Sequence, residues 1–214
     1  MTTIVWLDRV IPPAPNPPQI GGARSPMRTM TWEIAHQPGG WDSERRTAVR
    51  ALFDGMASDW NSRHDEHHPE PLVDALRRGG LDDIRGTVCD VGSGTGLLTE
   101  TLTAHFATVI SVDVASEMLR LAPSSTGYRV QADGAALPLA DASLDALLLF
   151  NAFLFPLEAA RVVRPRGAVI WISGLGEDTP IALPIDEVAA LLPGNWPATA
   201  SHAGWGTWAV FRRH

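Results

Sequence analysis

The sequence predicts an α/β fold, a seven-stranded and mostly parallel sheet closed by an antiparallel C-terminal hairpin, on three observations. From Gly86 onward short apolar runs alternate with helical segments, the rhythm of strands joined through crossovers. The runs are almost continuously apolar, as strands covered on both faces are. The last two strand-like pieces, 197–202 and 207–212, are separated by only four residues, too few for a parallel crossover.

The elements follow in order. The first 42 residues form a proline-rich arm, with prolines at 12, 13, 15, 17, 18, 26 and 38 that oppose regular helix. Within it, 3–10 and 27–34 read as short extended pieces. Residues 43–85 read as a helical cap. Ser43 stands as N-cap of a first helix whose Val49, Leu52, Phe53, Met56 and Trp60 recur at three- and four-residue spacing. A second helix follows Pro69 and ends at Gly79-Gly80. Residues 86–214 then carry strands at 88–91, 109–112, 128–132, 144–150 and 168–172 before the final hairpin, with helices at 97–106 and 116–121. At 214 residues all of this fits one domain of roughly 150 residues with an appendage.

Composition narrows the function. Hydrophobic residues make up 45% and charged residues 19%, which suits a packed core. A net charge of -7 provides no basic field for a nucleic-acid backbone. All 17 cations are arginine, which excludes Schiff-base, P-loop and Tyr-x-x-x-Lys chemistry, each of which needs lysine. The one cysteine, Cys89, cannot form an internal disulfide and fits a cytoplasmic setting. No basic, apolar leader opens the sequence, and its longest apolar run, 146–157, falls short of the ~20 residues of a membrane span.

The chemistry concentrates at the strand ends. After Asp90-Val91 comes Gly92-Ser93-Gly94-Thr95-Gly96, then a helix. Glycines at alternate positions let backbone approach a ligand closely, and the helix start offers unpaired N–H groups. Leu97 stands where the dinucleotide-binding G-x-G-x-x-G turn needs a small residue, which disfavours a nicotinamide-dependent oxidoreductase. The next strand ends at Asp113, near the ~20-residue offset of a ribose-binding acid. Later strands end at Asp133-Gly134 and at Asn151, so polar residues recur where open α/β sheets bind ligands.

In these stretches, 88–99, 111–119, 131–139, 143–145 and 159–167, the sequence resembles the class I S-adenosylmethionine-dependent methyltransferases, in particular the small-molecule branch of ubiquinone and menaquinone biosynthesis type. The resemblance covers about half the chain and implies a Rossmann-like fold, S-adenosyl-L-methionine as cofactor, a small organic acceptor, and neither nucleic-acid nor membrane partners. It also implies roles. Asp90, Gly92, Ser93, Gly94 and Gly96 would surround the methionine part of the cofactor, and Asp113 would take the ribose hydroxyls. Val114 and Met118 would flank the adenine, with its amino group on Asp133 and room left by Gly134. Asn151 would sit near the transferring methyl. Trp60 would close over the cofactor, and Arg63 would pair with its carboxylate. No single residue is implied as catalytic. A cofactor-binding regulator without catalysis is the rival reading, because 152–160 holds only a stub where the family has a longer segment.

Two further features stand out. In His64-Asp65-Glu66-His67-His68, Asp takes the place of the Glu of the zinc-binding H-E-x-x-H pattern and Pro69 ends the segment, so a solvated helix terminus is the better account, with a histidine base ranked next and a metal site last. No insertion in the second half is long enough to cover the site, so the cover should come from residues 1–85, with Trp32 and Trp41 as candidate lining.

Overall fold

The computed structural model of the chain describes residues 2–16, 22–123 and 127–214. Pro17, Pro18 and Gly21 of the arm therefore lie outside the described residues. The arm supplies a strand, β1 (Ile4–Trp6), so the sheet has eight strands rather than seven. The others are β2 (Thr87–Val91), β3 (Thr108–Asp113), β4 (Tyr128–Gln131), β5 (Leu144–Phe150), β6 (Val163–Ser173), β7 (Ala198–Ala203) and β8 (Gly206–Arg212). Their order is β1-β7-β8-β6-β5-β2-β3-β4, parallel except where β8 pairs with β6 and β7.

The second expected extended piece is a helix. Residues 27–34 lie in α1 (Pro26–His36), whose N-cap Ser25 accepts from the Met27 N–H and whose first residue is the proline. A Ser-Pro pair opens a helix as readily as it interrupts a strand, because proline already holds helical φ and has no N–H to leave unpaired. The next helix, α2 (Ser43–Met56), is capped by Asp42 rather than Ser43, with Asp42 Oδ1 accepting from Arg45 N at 2.8 Å. Then follow α3 (Glu70–Arg78), α4 (Thr99–Thr103), α5 (Ser116–Leu121), α6 (Pro156–Val162) and α7 (Ile185–Leu191). None of the described helices is long and apolar enough to cross a membrane.

Strand alternation divides the core between the two faces of the sheet. On β5, Leu147 and Leu149 pack with Val91, Trp171 and Val188, while Ala146 and Leu148 pack with Ile170 and with Leu72 and Leu76 of α3. A buried polar pin fixes α3: Asp74, 2% exposed, accepts two bonds from Arg78 and one from the Trp208 indole at 2.7 Å. That pin sets the position of the turn leading into α3, which carries His67 and His68. The strand order reverses between β5 and β2, the point at which open α/β sheets bind ligands.

Candidate active site

At that reversal the segment after β2 folds back across the strand ends. Gly92 (φ +74°) and Gly94 (φ +55°) adopt left-handed backbone that side chains resist. The Gly92 and Ser93 amides donate to Val112 O at 2.8 and 3.1 Å. A Cβ on Gly94 would stand 3.3 Å from the Trp60 indole nitrogen, a tight approach between loop and cap.

Asp113 ties this loop to the next. One of its carboxylate oxygens accepts from Gly94 N and the other from Ala115 N, both at 2.8 Å. Burial raises its pKa, while those amide bonds lower it. Asp90 has no such support. It is 2% exposed, its Oδ2 has no partner among the described residues, and burial followed by the charge of Asp113 pushes its pKa up to about 7. A buried carboxylate without a partner is costly, and a cation or donor brought to it relieves that cost.

These groups open into a cavity of about 880 Å³. Asp90, Gly92, Ser93, Gly94 and Asp113 line it from the strand ends, as do Val114, Met118, Gly134 and Asn151. Trp60 and Arg63 line it from the cap. Space at Gly134 is tight as well, since a Cβ there would approach Val91 Cγ1 at 3.0 Å and Phe155 at 3.1 Å. Asn151 holds φ +51°, and its side-chain oxygen accepts from Gly174 N at 2.7 Å, which joins the end of β5 to the end of β6. The unpartnered acid, the ribose-type acid, the small loop and the apolar walls at Val114 and Met118 suit a nucleoside-bearing cation such as S-adenosylmethionine.

Two expected site residues are not among those that line the cavity. Gly96 faces away from the cavity, where a Cβ would meet Thr99 Oγ1 at 2.9 Å and Pro123 at 3.2 Å, so its glycine serves packing. Asp133 is engaged by the cap: Trp41 Nε1 and Arg46 Nη1 each donate to it at 2.9 Å, and Ala135 N adds a third bond at 2.9 Å. These bonds fasten the N-terminal region to the sheet.

Sequence reasoning missed the opposite wall. Met27 of α1, Phe153, Phe155, Leu175 and Ile181 line it, together with His67 and Trp205. Trp41, expected as candidate lining, is there as well, 5.7 Å from Phe153 and 5.6 Å from Phe155. Trp32 is 45% exposed and stacks on His36 at 4.6 Å instead. Phe153 and Phe155 follow Asn151 directly, so their signal was present in the short loop after β5. The five-residue histidine segment is a turn rather than a helix, yet His64 and His68 rings meet at 4.2 Å. Among the described residues no three His, Cys, Asp or Glu side chains group as a metal site.

Comparison with known proteins agrees with the geometry. Residues 89–171 match the family described as Methyltransferase domain. A Ubiquinone biosynthesis O-methyltransferase from Nitrosomonas europaea is 33% identical over 75 residues, 33% of this chain and 32% of that protein. An uncharacterized methyltransferase of Mycobacterium tuberculosis is 37% identical over 115 residues, 49% of this chain and 45% of that protein. The chain thus spans about a third to a half of the length of these curated relatives. Among solved structures, the DhpI–SAH complex superposes with a TM-score of 0.61 at 19% identity, covering 78% of this chain and 96% of that one. PH0226 from Pyrococcus horikoshii OT3 gives a TM-score of 0.54 at 16% identity, covering 81% and 100%. These two share the fold, a Rossmann-like sheet with antiparallel C-terminal strands.

Proposed function

We propose that this chain, whose residues 89–171 match the family described as Methyltransferase domain, is of the class I S-adenosylmethionine-dependent type and transfers a methyl group from S-adenosylmethionine to a small organic acceptor. The observation that carries this reading is the juxtaposition of an unpartnered buried Asp90 with the Asp113-held glycine loop in one cavity that continues into an apolar chamber. When bound, the cofactor supplies an electrophilic methyl on a sulfonium, and what remains for the protein is alignment and exclusion of water.

In this reading the chain divides those tasks among its own residues. Asp90 faces the cofactor's cationic methionine end with Gly92, Ser93 and Gly94 around it, and Asp113 accepts from the ribose hydroxyls while keeping its amide bonds. Val114 and Met118 cover the adenine, next to the space kept by Gly134. Trp60 covers the cofactor from the cap, and an aromatic face attracts a sulfonium. Arg63 provides the cation for the carboxylate end. Asp133 acts indirectly, by holding Trp41 and Arg46 against the sheet. The net charge of -7 supports a small molecule over a nucleic acid as acceptor, and the lone, buried Cys89 supports a cytoplasmic site of action.

Calorimetric titration with S-adenosylhomocysteine (SAH) and with NAD tests the reading. Saturable binding of SAH and none of NAD is expected. Binding of NAD alone would return the chain to the oxidoreductases, and SAH binding without methyl transfer to any acceptor would favour a regulator.

A further inference from the structure

Between α2 and α3 the cap runs through two short 3-10 helices, Ala57–Asp59 and Asn61–Arg63, with Trp60 at their junction. Such single turns hold their own shape weakly, because i→i+3 bonds are poorly aligned, so side-chain ties decide where they stand. Trp60 and Arg63, the two cap residues given to the cofactor above, both belong to this segment and line the cavity. Inside it, Ser62 Oγ donates to Asp59 O at 2.8 Å. Two further ties set its position.

The first tie comes from the glycine loop. Thr95 stands between Gly94 (φ +55°) and Gly96 (φ +76°), is 3% exposed, and its hydroxyl donates to Asn61 Oδ1 at 2.5 Å across 34 residues. A hydroxyl so buried needs a partner within the protein, and Asn61 supplies it. The second tie is His64, whose Nδ1 lies 2.9 Å from Trp60 O and whose ring stands 5.0 Å from the indole. Held from both sides, the indole meets the glycine loop and the proposed adenine wall together: a Cβ on Gly94 would stand 3.3 Å from Trp60 Nε1 and 3.9 Å from Met118 Sδ. Trp60 packs there with Phe53 and Met56 on Ala57, Ala115 and Met118. Arg63, two residues after Asn61, places its Nη1 3.7 Å from Met56 Sδ. Asn61 and Thr95 themselves are not among the residues that line the cavity, so whatever they do for a ligand they do through their neighbours.

We infer that Asn61 and Thr95 are positioning residues for the cofactor: their bond hangs the cap segment on the glycine loop, so that the loop placed around the methionine end also sets Trp60 and Arg63 over it. This rests on the methyltransferase reading above and deepens it. Groups fixed before a ligand arrives need not be ordered when it binds, so the bond contributes to affinity without touching the ligand. Because His64 holds the Trp60 backbone independently, losing the bond loosens the cover and does not remove it.

Calorimetric SAH titrations of paired variants test the assignment. Thr95→Val keeps the shape of the side chain and loses the hydroxyl, whereas Thr95→Ser keeps the hydroxyl. The first should weaken SAH about 10-fold, the scale of one hydrogen bond, and the second should stay within about 2-fold of the unsubstituted protein. Asn61→Ala removes the other partner from an exposed position and should reproduce the loss of Thr95→Val, with the double variant no weaker than either single one. In a Trp60→Ala background, where only Arg63 remains to be positioned, the loss caused by Thr95→Val should shrink to about 3-fold or less. A loop bond with a merely structural role would give the same loss with or without Trp60. That result, equal losses in Thr95→Val and Thr95→Ser, or no loss in Thr95→Val and Asn61→Ala, would overturn the inference. Failure of the unsubstituted protein to bind SAH would overturn the reading beneath it, and its own titration tells the two failures apart.

Discussion

The two ends of the cavity are built differently. The cofactor end is assembled from consecutive strand ends, 90–94, 113–118 and 134, and its polar contacts are backbone amides on Asp113, whose geometry the parallel sheet imposes. The rest of the lining, the proposed acceptor end, draws on α1, the turn before α3, the loop after β5 and the final hairpin turn, and its contacts run between side chains. One end is a property of the fold, the other of this chain. Changes at the first should abolish or weaken cofactor binding, and changes at the second should alter acceptor chemistry with the cofactor still bound.

The largest expected effect is that of Gly94→Val. A branched side chain at φ +55° would strain the loop and press on Trp60, so SAH affinity should fall about 100-fold or more. Unchanged affinity would place the cofactor elsewhere.

Removal of residues 1–40 probes the other end. It takes away β1 and α1, but β7 keeps its pairing with β8, and Trp41 and Arg46 remain to bind Asp133. The protein should fold and bind SAH while acceptor turnover is lost, since Met27 and the α1 packing of Ile34 on Phe153 and Ile181 go with the segment. Full turnover would reduce the arm to an edge strand. The arm makes both kinds of contact: residues 4–6 pair with β7, and Ser25, Met27 and Trp41 line the cavity.

A smaller effect, with a sign set by pH, is expected of Asp90→Asn. The Asp90 pKa is raised from 3.8 to about 7, so the stability the native protein gains from protonating it is full below ~4 and is lost as pH rises through 7. In the cofactor-free protein Asp90→Asn should therefore raise the melting temperature above neutral pH and leave it little changed at about pH 4. The same substitution should weaken S-adenosylmethionine more than SAH, because only the former carries the sulfonium. A variant that melts with the pH dependence of the unsubstituted protein would show that Asp90 is not the titrating group.

How much of this was legible in the sequence follows the same division. Local signals, apolar runs for the strands and Asp90 through Asp113 for the loop, are written in adjacent residues, and the structure brings eleven of the thirteen expected positions to the cavity. Gly96 and Asp133 do not line the cavity, since a motif gives a position in the chain but not its neighbours. Thr99 and Pro123 fill the space beside Gly96, and Trp41 and Arg46, about 90 residues away, reach Asp133 first. Ser25-Pro26 did mark a helix start, yet the surrounding prolines outweighed it. The abutment of the β7–β8 turn on the entry of α3 had no sequence signal, since it depends on the eighth strand folding back beside α3.

The division between the two ends is tested most directly by paired SAH titrations of Asp113→Ala and His68→Gln. Asp113→Ala should weaken SAH by about 1.5 to 3 kcal/mol, roughly 10- to 150-fold, through the lost ribose contacts and the freed Gly94 and Ala115 amides. His68→Gln should stay within about 2-fold of the unsubstituted protein. Comparable losses in both variants, or none in Asp113→Ala, would contradict the account.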